Sequence, residues 1–483
     1  MNRIFKSAAI VAVLAAALIS CDDQGVTTPQ DAAGKAADVI DLGLPVAFGG
    51  VDDVDAFGNV TVSRNLTLES GNTYILHNYF RIQDGFTITI EPGVTIKGVK
   101  KGFEATKDFA PGTLVIEQGA KINAVGGKTN AADSVILFTS NATTPAAGDW
   151  GGVVILGKAP VSVSGGVTSI EGLPTPNNTG FYGGTDAGDD SGDLRFVRIE
   201  YAGDVIGQDN ELNGLTLGGV GNGTKIDHVQ VSYGLDDGFE FFGGTVNADH
   251  LVSYYNTDDD FDTDLGYSGK VQFGLVVRNP NIAVTGGGSN GFESNGDSNI
   301  GVTPYTSAVF ANFTILGPVS PNSTTIDSRF RSGVLIRVSS ELKLFNSIIT
   351  GYKTFQLEVA SPSAYPSPSA IQGVTVVAPA YTGTTLNGVT TNVTGFNGVT
   401  GNIERTATTL GNTGLTSLPV MTGLNVNAWN TTSRNFVASV EQSAVSHALL
   451  SGLEPTDFRG AFGSSSDSDN TAWFIGGGWV SFN

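Results

Sequence analysis

The sequence is poor in several kinds of residue, and each shortage excludes a class of protein. Its 483 residues include one cysteine, so no disulfide framework holds the fold together. Charged residues make up 15 % of the chain, against about 25 % in ordinary domains. Bases are scarcer than acids, 25 against 46, which argues against nucleic-acid binding because that function needs a basic surface. Strong helix formers are displaced by glycine, asparagine, threonine and valine, which excludes a helical bundle.

Long apolar runs are also missing, apart from a twelve-residue run, 8–19, that follows Arg3 and Lys6. Such a run suits a secretory signal and is too short to span a membrane. It leads into the residues LISC, which resemble a bacterial lipobox, and the single cysteine, Cys21, stands where lipobox proteins are lipidated. We therefore expect a signal peptide over 1–20, lipidation of Cys21 and a flexible tether over 21–45. A secreted protein with one stray cysteine is the alternative.

The predicted anchor also predicts a location. Residues 22–24 (DDQ) resemble the acidic sorting signal of surface lipoproteins in Bacteroidota, whereas aspartate at this place in enteric bacteria implies retention in the inner membrane. We expect an exported protein that is held in the cell envelope by its lipid, at the outer membrane and exposed on the cell surface. The membrane is then its first partner.

What the chain has in abundance is glycine, with 65 residues. From about residue 59, short runs alternate between apolar and polar residues and end in glycine, asparagine or aspartate, as strands of a sandwich, propeller or solenoid do. Val229, Leu251 and Phe273 mark apolar runs at steps of 22 residues, a period typical of one turn of a parallel β-helix. Glycine then provides the positive φ that tight corners need.

These patterns predict an all-β protein built as a right-handed parallel β-helix over 46–355. Residues 356–483 contain proline-rich and threonine-rich stretches, and we expect them to form terminal coils and a loop-rich C-terminal cap. Within this cap, the segment 440–451 is predicted to form a short helix that covers the open end.

Three glycine-rich segments carry a resemblance to a known family: 148–157 (GDWGGVVILG), 210–221 (NELNGLTLGGVG) and 236–246 (DDGFEFFGGTV). Together they are similar to surface lipoproteins of Bacteroidota and related bacteria that form right-handed parallel β-helices of the pectin-lyase-like type. The resemblance spans about residues 60–355. It implies a fold and a surface location, and it carries no activity with it.

An acidic pattern recurs inside the predicted β-helix. Residues 236–240 (DDGFE) align with 258–262 (DDDFD), 22 residues later, and with 289–293 (SNGFE), 31 residues after that. Alternation directs each phenylalanine inward and the carboxylates outward onto a solvated face, where stacked coils bring them together. Such a group of like charges favours a cation, and Ca²⁺ accepts about 6–8 oxygen ligands. The alternative is that these residues only make turns and side-chain ladders. The candidate metal ligands are Asp236, Asp237, Glu240, Asp258, Asp259, Asp260, Asp262 and Glu293, with Asp264, Asn256 and Asp297 as further ligands.

Catalysis is another hypothesis for the same pattern, because parallel β-helices often host enzymes that act on acidic polysaccharides. A lyase needs a basic residue beside calcium, and Lys270 lies just beyond the acidic pattern, so Lys270 with Asp237 and Asp259 is the candidate catalytic set. A hydrolase would instead use two carboxylates as acid and base. His228 and His250 follow aspartates on strands and are predicted to be ordinary strand residues. The candidate sugar contacts are Tyr254, Tyr255 and Tyr267.

The function that we expect from the sequence is non-enzymatic. A lipid-anchored β-helix would bind a glycan or a surface partner, in adhesion or capture, through an acidic face that carries calcium. The alternative is a calcium-dependent polysaccharide lyase or a glycoside hydrolase.

Overall fold

The computed structural model describes residues 38–43, 53–104, 109–127, 134–171, 173, 179–207, 210–285, 287–296, 302–319, 325–360, 371–378, 380–381, 384–385, 387–389, 402–406, 436, 443–463 and 479–482. The predicted signal peptide, Cys21, most of the predicted tether and Asp297 lie outside these residues. The tether prediction is wrong at 39–41, because Val39–Asp41 is a strand that pairs in parallel with residues 73–75.

The described residues form stacked coils of short parallel strands, which confirms the predicted parallel β-helix. One sheet, the long sheet, contains Val39–Asp41, Leu66–Leu68, Thr73–Leu76, Thr87–Ile90, Thr95–Gly98, Lys121–Val125, Ile136–Ser140, Gly192–Glu200, Lys225–Ser232, Asn247–Tyr254, Lys270–Val277, Val309–Leu316, Lys343–Phe345, Ile348–Thr350, Ile371–Gln372, Thr375–Ala378 and Ile403–Thr406. The other, the short sheet, contains Asp53–Val54, Val60–Val62, Tyr79–Ile82, Thr113–Ile116, Gly152–Leu156, Leu215–Gly218, Phe239–Phe242, Phe261–Asp264, Phe292–Ser294, Ser332–Ile336, Phe355–Val359 and Asn387–Val389.

Smaller elements project from the coils. Three antiparallel hairpins are formed by Thr168–Ser169 with Phe181–Tyr182, by Asp204–Gly207 with Asn210–Leu212, and by Ala380–Tyr381 with Thr384–Thr385. A 3₁₀ turn covers Ala448–Leu450. None of the helical segments in the described part of the chain has the length and apolar character needed to span a bilayer.

The strands form as they do because apolar residues alternate with polar ones, and the apolar set fills the closed interior. In Thr87–Ile90 the two isoleucines are buried, whereas the two threonines are partly exposed. The interior is filled by such valine, isoleucine, leucine and phenylalanine side chains from successive coils.

Each long strand bends where one residue adopts a left-handed backbone conformation. In four successive coils this residue is Phe196, His228, His250 or Phe273, with φ of 53° to 58°. Each such residue costs about 1–2 kcal/mol, because its Cβ crowds the backbone. The four rings stack at centroid distances of 4.5, 4.4 and 5.0 Å, and aromatic pairs contribute about 0.5–1.5 kcal/mol each. Stacking therefore offsets much of the backbone strain. We call this row of rings the ring ladder.

The described C-terminal residues, 443–463 and 479–482, lie along the outer side of the long sheet. Side-chain amides of the sheet bind their backbone: Gln272 accepts from Glu454 N at 2.8 Å and donates to Glu454 O at 2.8 Å. Gln230 binds the N–H and the carbonyl of Ser481 in the same way. The prediction of a short helix over the open end is therefore wrong. In the described part of the segment, 443–451, the helical structure is a single 3₁₀ turn, and apolar residues there pack against the side of the sheet.

Candidate functional site: an acidic face on the short sheet

A row of carboxylates lies on the outer side of the short sheet. Paired positions on three successive strands carry Glu240, Asp262 and Glu293. The phenylalanines that begin these strands point into the interior, where the rings of Phe239 and Phe261 stack 4.9 Å apart. The alignment of acidic segments predicted from the sequence is thus confirmed as strand register.

A second row of side chains lies just before these strands in the sequence. A side-chain oxygen of each accepts a hydrogen bond from a backbone N–H of the next coil. Asn213 Oδ1 accepts from Asp237 N at 3.1 Å, Asp237 Oδ1 accepts from Asp259 N at 2.8 Å, and Asp259 Oδ1 accepts from Asn290 N at 2.5 Å. Asn290 Oδ1 accepts in turn from Ser332 N at 3.0 Å. We call this row the Asn/Asp ladder.

The ladder itself does not require carboxylates. An amide oxygen makes the bond at Asn213 and again at Asn290. Asp237 and Asp259 therefore each add a charged oxygen beyond the one that binds the backbone N–H. The prediction of a side-chain ladder is confirmed, but the ladder alone leaves the two central charges unexplained.

The two rows together, with Asp236, Asp258 and Asp264, make up what we call the acidic face. This face is more sheltered than the solvated surface that the sequence predicted: Asp237 and Glu240 are 7 % exposed and Asp259 is 4 % exposed. Segments that are inserted between successive coils cover the acidic face. The ring of Tyr182, from a hairpin, is packed so closely on Gly218 that a Cβ there would lie 2.8 Å from it. The alternation of apolar and polar residues predicts which side of a strand each side chain occupies. It does not predict which other segments cover that side.

Burial has a strong electrostatic effect on the acidic face. It raises the pKa of Asp237, Glu240 and Asp259 well above the ordinary values, and neighbouring carboxylates raise these pKa values further. Burial also raises the pKa of Asp258 to about 7, although Arg278 acts in the opposite direction. Buried carboxylates of this kind must be neutralised by protons or by a cation.

The hairpins and loops that cover the face add further acids that sequence reasoning missed. Burial raises the pKa of Glu171 to about 7, and Glu211 and Asp264 raise it further. Glu171 also raises the pKa of Glu240, which places it within electrostatic reach of the row. No signal in the sequence relates Glu171 or Glu211 to the repeat, because both lie in insertions between coils.

Oxygen atoms of the acidic face converge closely enough to hold a cation. Asp262 Oδ1 and Thr216 Oγ1 are buried and have no hydrogen-bond partner among the described residues, and Thr216 is paired with Glu240 in the sheet. Ca²⁺ is bound by such carboxylate and hydroxyl or carbonyl oxygens. Three overlapping groups have carboxylate oxygens within 4.8 Å of one another: Asp236 with Asp237 and Asp258, Asp237 with Glu240 and Asp262, and Asp259 with Asp262 and Glu293.

Asp260 does not belong to this group, which corrects one predicted ligand. It points into the protein, and Arg278 Nε lies 2.6 Å from Asp260 Oδ2 with both side chains fully buried. The same guanidinium donates to the carbonyls of Asn256, Asp258 and Asn290. Asn256 is likewise buried and binds Gly234 N and Ser253 through its side chain. Asp260 thus pairs with a buried cation of its own and does not contribute to the face.

The candidate base Lys270 is in the wrong place for catalysis at the acidic face. It begins a strand of the long sheet, and its Nζ donates to the carbonyls of Leu449 and Ser451 at 3.0 and 2.6 Å. The 22-residue repeat places Lys270 in the next coil, but on another side of the helix. The basic group that does reach the face is Arg337, which pairs with Glu293.

Two of the three predicted sugar contacts are buried. Tyr267 is fully buried and donates to Val246 O at 2.8 Å. Tyr254 is 2 % exposed and packs against Phe482 of the C-terminal segment. Neither hydroxyphenyl ring can stack on an external sugar. Tyr255 is partly exposed and remains a prediction.

Comparison with known proteins agrees with this architecture. Residues 58–433 match the family described as a pectate-lyase-like beta helix domain. The chain belongs to this family. No protein with a curated description matches the sequence. Membership of the pectate-lyase-like family supports, in broad terms, a surface or carbohydrate-related role.

Proposed function

We propose that this protein is an envelope lipoprotein, anchored through Cys21, whose acidic face binds Ca²⁺ and, through Ca²⁺, a glycan or a surface partner. Its role would be adhesion or capture without catalysis. The observation that carries the proposal is the identity of the residues that form the Asn/Asp ladder. Its ends are Asn213 and Asn290, whereas its two central positions are the buried carboxylates Asp237 and Asp259.

The two central charges are unfavourable without a cation. Burying an unpaired carboxylate costs several kcal/mol after relaxation, on the order of the whole stability of a small domain. Asparagine would make the same backbone hydrogen bond without this cost. A bound divalent cation offsets the cost of burying the two carboxylates and is coordinated by the second oxygen of each. The two buried aspartates are therefore favourable only when the cation is bound.

A glycan fits the face because coordination of Ca²⁺ by the protein can remain incomplete. Asp258, Asp262 and Glu293 are partly exposed, so the cluster has a side that solvent reaches. Carboxylates of an acidic polysaccharide are hard oxygen ligands of the kind that Ca²⁺ accepts at open positions. Membership of the pectate-lyase-like family supports the same class of ligand.

Calorimetry with Ca²⁺ on the full chain tests the cation. We expect binding that weakens at least about tenfold, or about 1.4 kcal/mol, in a double variant with Asp237→Asn and Asp259→Asn, because this variant keeps the ladder and loses its charge. A control with Asp84→Asn and Asp186→Asn makes the same charge change at exposed positions and should bind normally. Equal binding by both variants would refute the calcium proposal.

Glycan binding is tested by sedimentation with insoluble acidic polysaccharides, such as calcium-gelled pectate or alginate. We expect retention with Ca²⁺ and release with chelator for the wild-type chain, and no retention for the Asp237→Asn, Asp259→Asn variant. Retention that ignores both the chelator and the variant would show that the acidic face is not the binding surface.

The anchor is tested separately by metabolic labelling with a fatty acid. Label should enter the wild-type chain and be absent from Cys21→Ser, and protease added to intact cells should cleave the labelled protein if it is surface-exposed. Labelling of Cys21→Ser would overturn the anchor without affecting the calcium proposal.

A second candidate function is cleavage of an acidic polysaccharide. It is favoured by the raised pKa values of Asp258 and Glu171, both about 7, because a neutral carboxyl group beside ionised ones can act as a general acid. Hydrolysis would release new reducing ends, and lyase activity would release products that absorb in the ultraviolet. Either activity, if abolished by Asp258→Asn, would replace the non-enzymatic role.

A further inference from the structure

A second cluster of ionisable groups lies on the long sheet, away from the acidic face. The ring ladder places His228 and His250 between Phe196 above and Phe273 below, in register from coil to coil. Each histidine follows an aspartate, so Asp227 and Asp249 are also paired across the two coils. The Asp-His dipeptide occurs once in each of these two coils, so folding brings two imidazoles and two carboxyl groups together.

The geometry of this group is convergent. His228 Nδ1 and His250 Nδ1 each lie 2.7 Å from the same oxygen, Asp227 Oδ1. The ligand atoms of the three residues lie within 4.8 Å of one another. The His228 side chain is 8 % exposed and that of His250 is 18 % exposed, so both rings are held firmly by the ladder.

The ring ladder by itself does not explain the histidines. Phenylalanine fills the same left-handed position in the coil before and in the coil after, with the same stacking. Imidazoles at the two central positions add nitrogen ligands that stacking does not need. The chain has four histidines in all, and two of them occupy these adjacent positions.

The group also contains carboxylates beside the nitrogen ligands. Asp227 Oδ1 lies 2.7 Å from both imidazole nitrogens, so one carboxylate oxygen is shared between the two histidines. Asp249, paired with Asp227 in the sheet, places a second carboxyl group beside them.

One side of the group opens onto a cavity of about 520 Å³. Asp227 and His250 line it together with Asp249, Lys270 and Glu454. A metal ion held by three protein ligands at its wall would have room for water or a small anion at a fourth position, as zinc ions in open sites do.

We propose that Asp227, His228 and His250 bind a borderline divalent transition metal ion such as Zn²⁺, with an open coordination position toward this cavity. The ion takes the place of the hydrogens that the two imidazoles share with Asp227. Nitrogen and carboxylate ligands suit Zn²⁺, whereas Ca²⁺ prefers oxygen alone, so this site and the acidic face select different ions.

The experiment is titration of the full chain with Zn²⁺ in excess Ca²⁺, which saturates oxygen-only sites. We expect one Zn²⁺ per chain, with affinity reduced at least about 100-fold in His250→Phe, since loss of supporting partners alone costs about 10–100-fold. Phenylalanine is the residue that neighbouring coils carry at this position, so His250→Phe should keep the ladder and the fold, as thermal melting would show. His447→Phe is the control, because His447 stacks on Phe345 outside the group.

A second readout reports the location directly. Trp479 lies edge-on to His228 with centroids 5.3 Å apart, so Ni²⁺ in the site should quench its fluorescence. Quenching should vanish in Trp479→Phe and in His250→Phe. No Zn²⁺ binding, or equal binding by the wild-type chain and His250→Phe, would overturn the proposal without bearing on calcium at the acidic face. Loss of Zn²⁺ binding in the Asp237→Asn, Asp259→Asn variant instead would overturn it and place the ion at the acidic face.

Discussion

The Asn/Asp ladder and the ring ladder extend over the same four coils on different sides of the β-helix, and the two are arranged alike. The Asn/Asp ladder has Asn213 and Asn290 at its ends, and the ring ladder has Phe196 and Phe273. The ionisable residues stand at the centre of both, in the two coils that contain residues 225–242 and 247–264. The residues at the ends show which side chains are enough to form each ladder. The ionisable groups at the centre are not needed for the ladder itself.

The two centres differ in how they satisfy their charge. Asp227 receives hydrogen bonds from two imidazoles, and its pKa falls below the ordinary value despite burial. Burial, together with neighbouring carboxylates, raises the pKa values of Asp237 and Asp259 well above the ordinary value, although Arg278 acts in the opposite direction at Asp259. One cluster is stable as it stands, whereas the other destabilises the fold until protons or a cation arrive.

The largest expected effect comes from removing Arg278, the buried cation beside Asp260. Arg278→Met leaves Asp260 buried without its partner and should lower the free energy of unfolding by about 3–5 kcal/mol in a denaturant melt. Arg337→Met removes the cation that pairs with Glu293 on the acidic face, but the Arg337 side chain is 42 % exposed, so we expect a loss below about 1 kcal/mol. Similar losses in the two variants would mean that burial does not distinguish these pairs.

The next effect concerns pH and calcium at the acidic face. A carboxyl group with a raised folded-state pKa binds more protons when folded, so stability is greatest below pH 4 for this group and declines as pH rises through the folded value. For Asp258 and Glu171 that value is about 7. In chelator, the melting temperature should therefore fall between pH 5 and pH 8.

Calcium should cancel this decline. At a concentration about 100 times its dissociation constant, a ligand of the folded state adds about 2.7 kcal/mol. The variant with Asp237→Asn and Asp259→Asn should show both a flatter pH profile in chelator and a smaller calcium response. A wild-type melting temperature that is constant from pH 5 to pH 8 in chelator would contradict the electrostatic argument.

Much of this comparison can be predicted from the sequence, because the repeat fixes register. The 22-residue spacing correctly pairs Glu240 with Asp262, and alternation correctly sends Phe239 and Phe261 inward. Spacing does not determine what covers a face. Glu171 reaches the acids from an inserted loop, and Tyr254 is covered by Phe482, 228 residues later in the chain. The repeat also identifies the coil that contains Lys270 but not its position around that coil, which is on the long sheet.

The smallest effect tests whether the two sides are independent. Gln272 holds Glu454 by two hydrogen bonds, and Glu454 lines the cavity beside His250. Gln272→Leu should cost about 1 kcal/mol per lost bond, and the loss should be local, because the C-terminal segment can lift while the coils stay paired. We expect faster amide hydrogen exchange in residues 443–463 with an almost unchanged melting temperature, and an unchanged calcium response. Gln230→Leu, at the contact with Ser481, should instead speed exchange in residues 479–482. If exchange also rose at Asp237 and Asp259, the two ladders would be coupled through the interior, and the ions proposed for them could not be assigned separately.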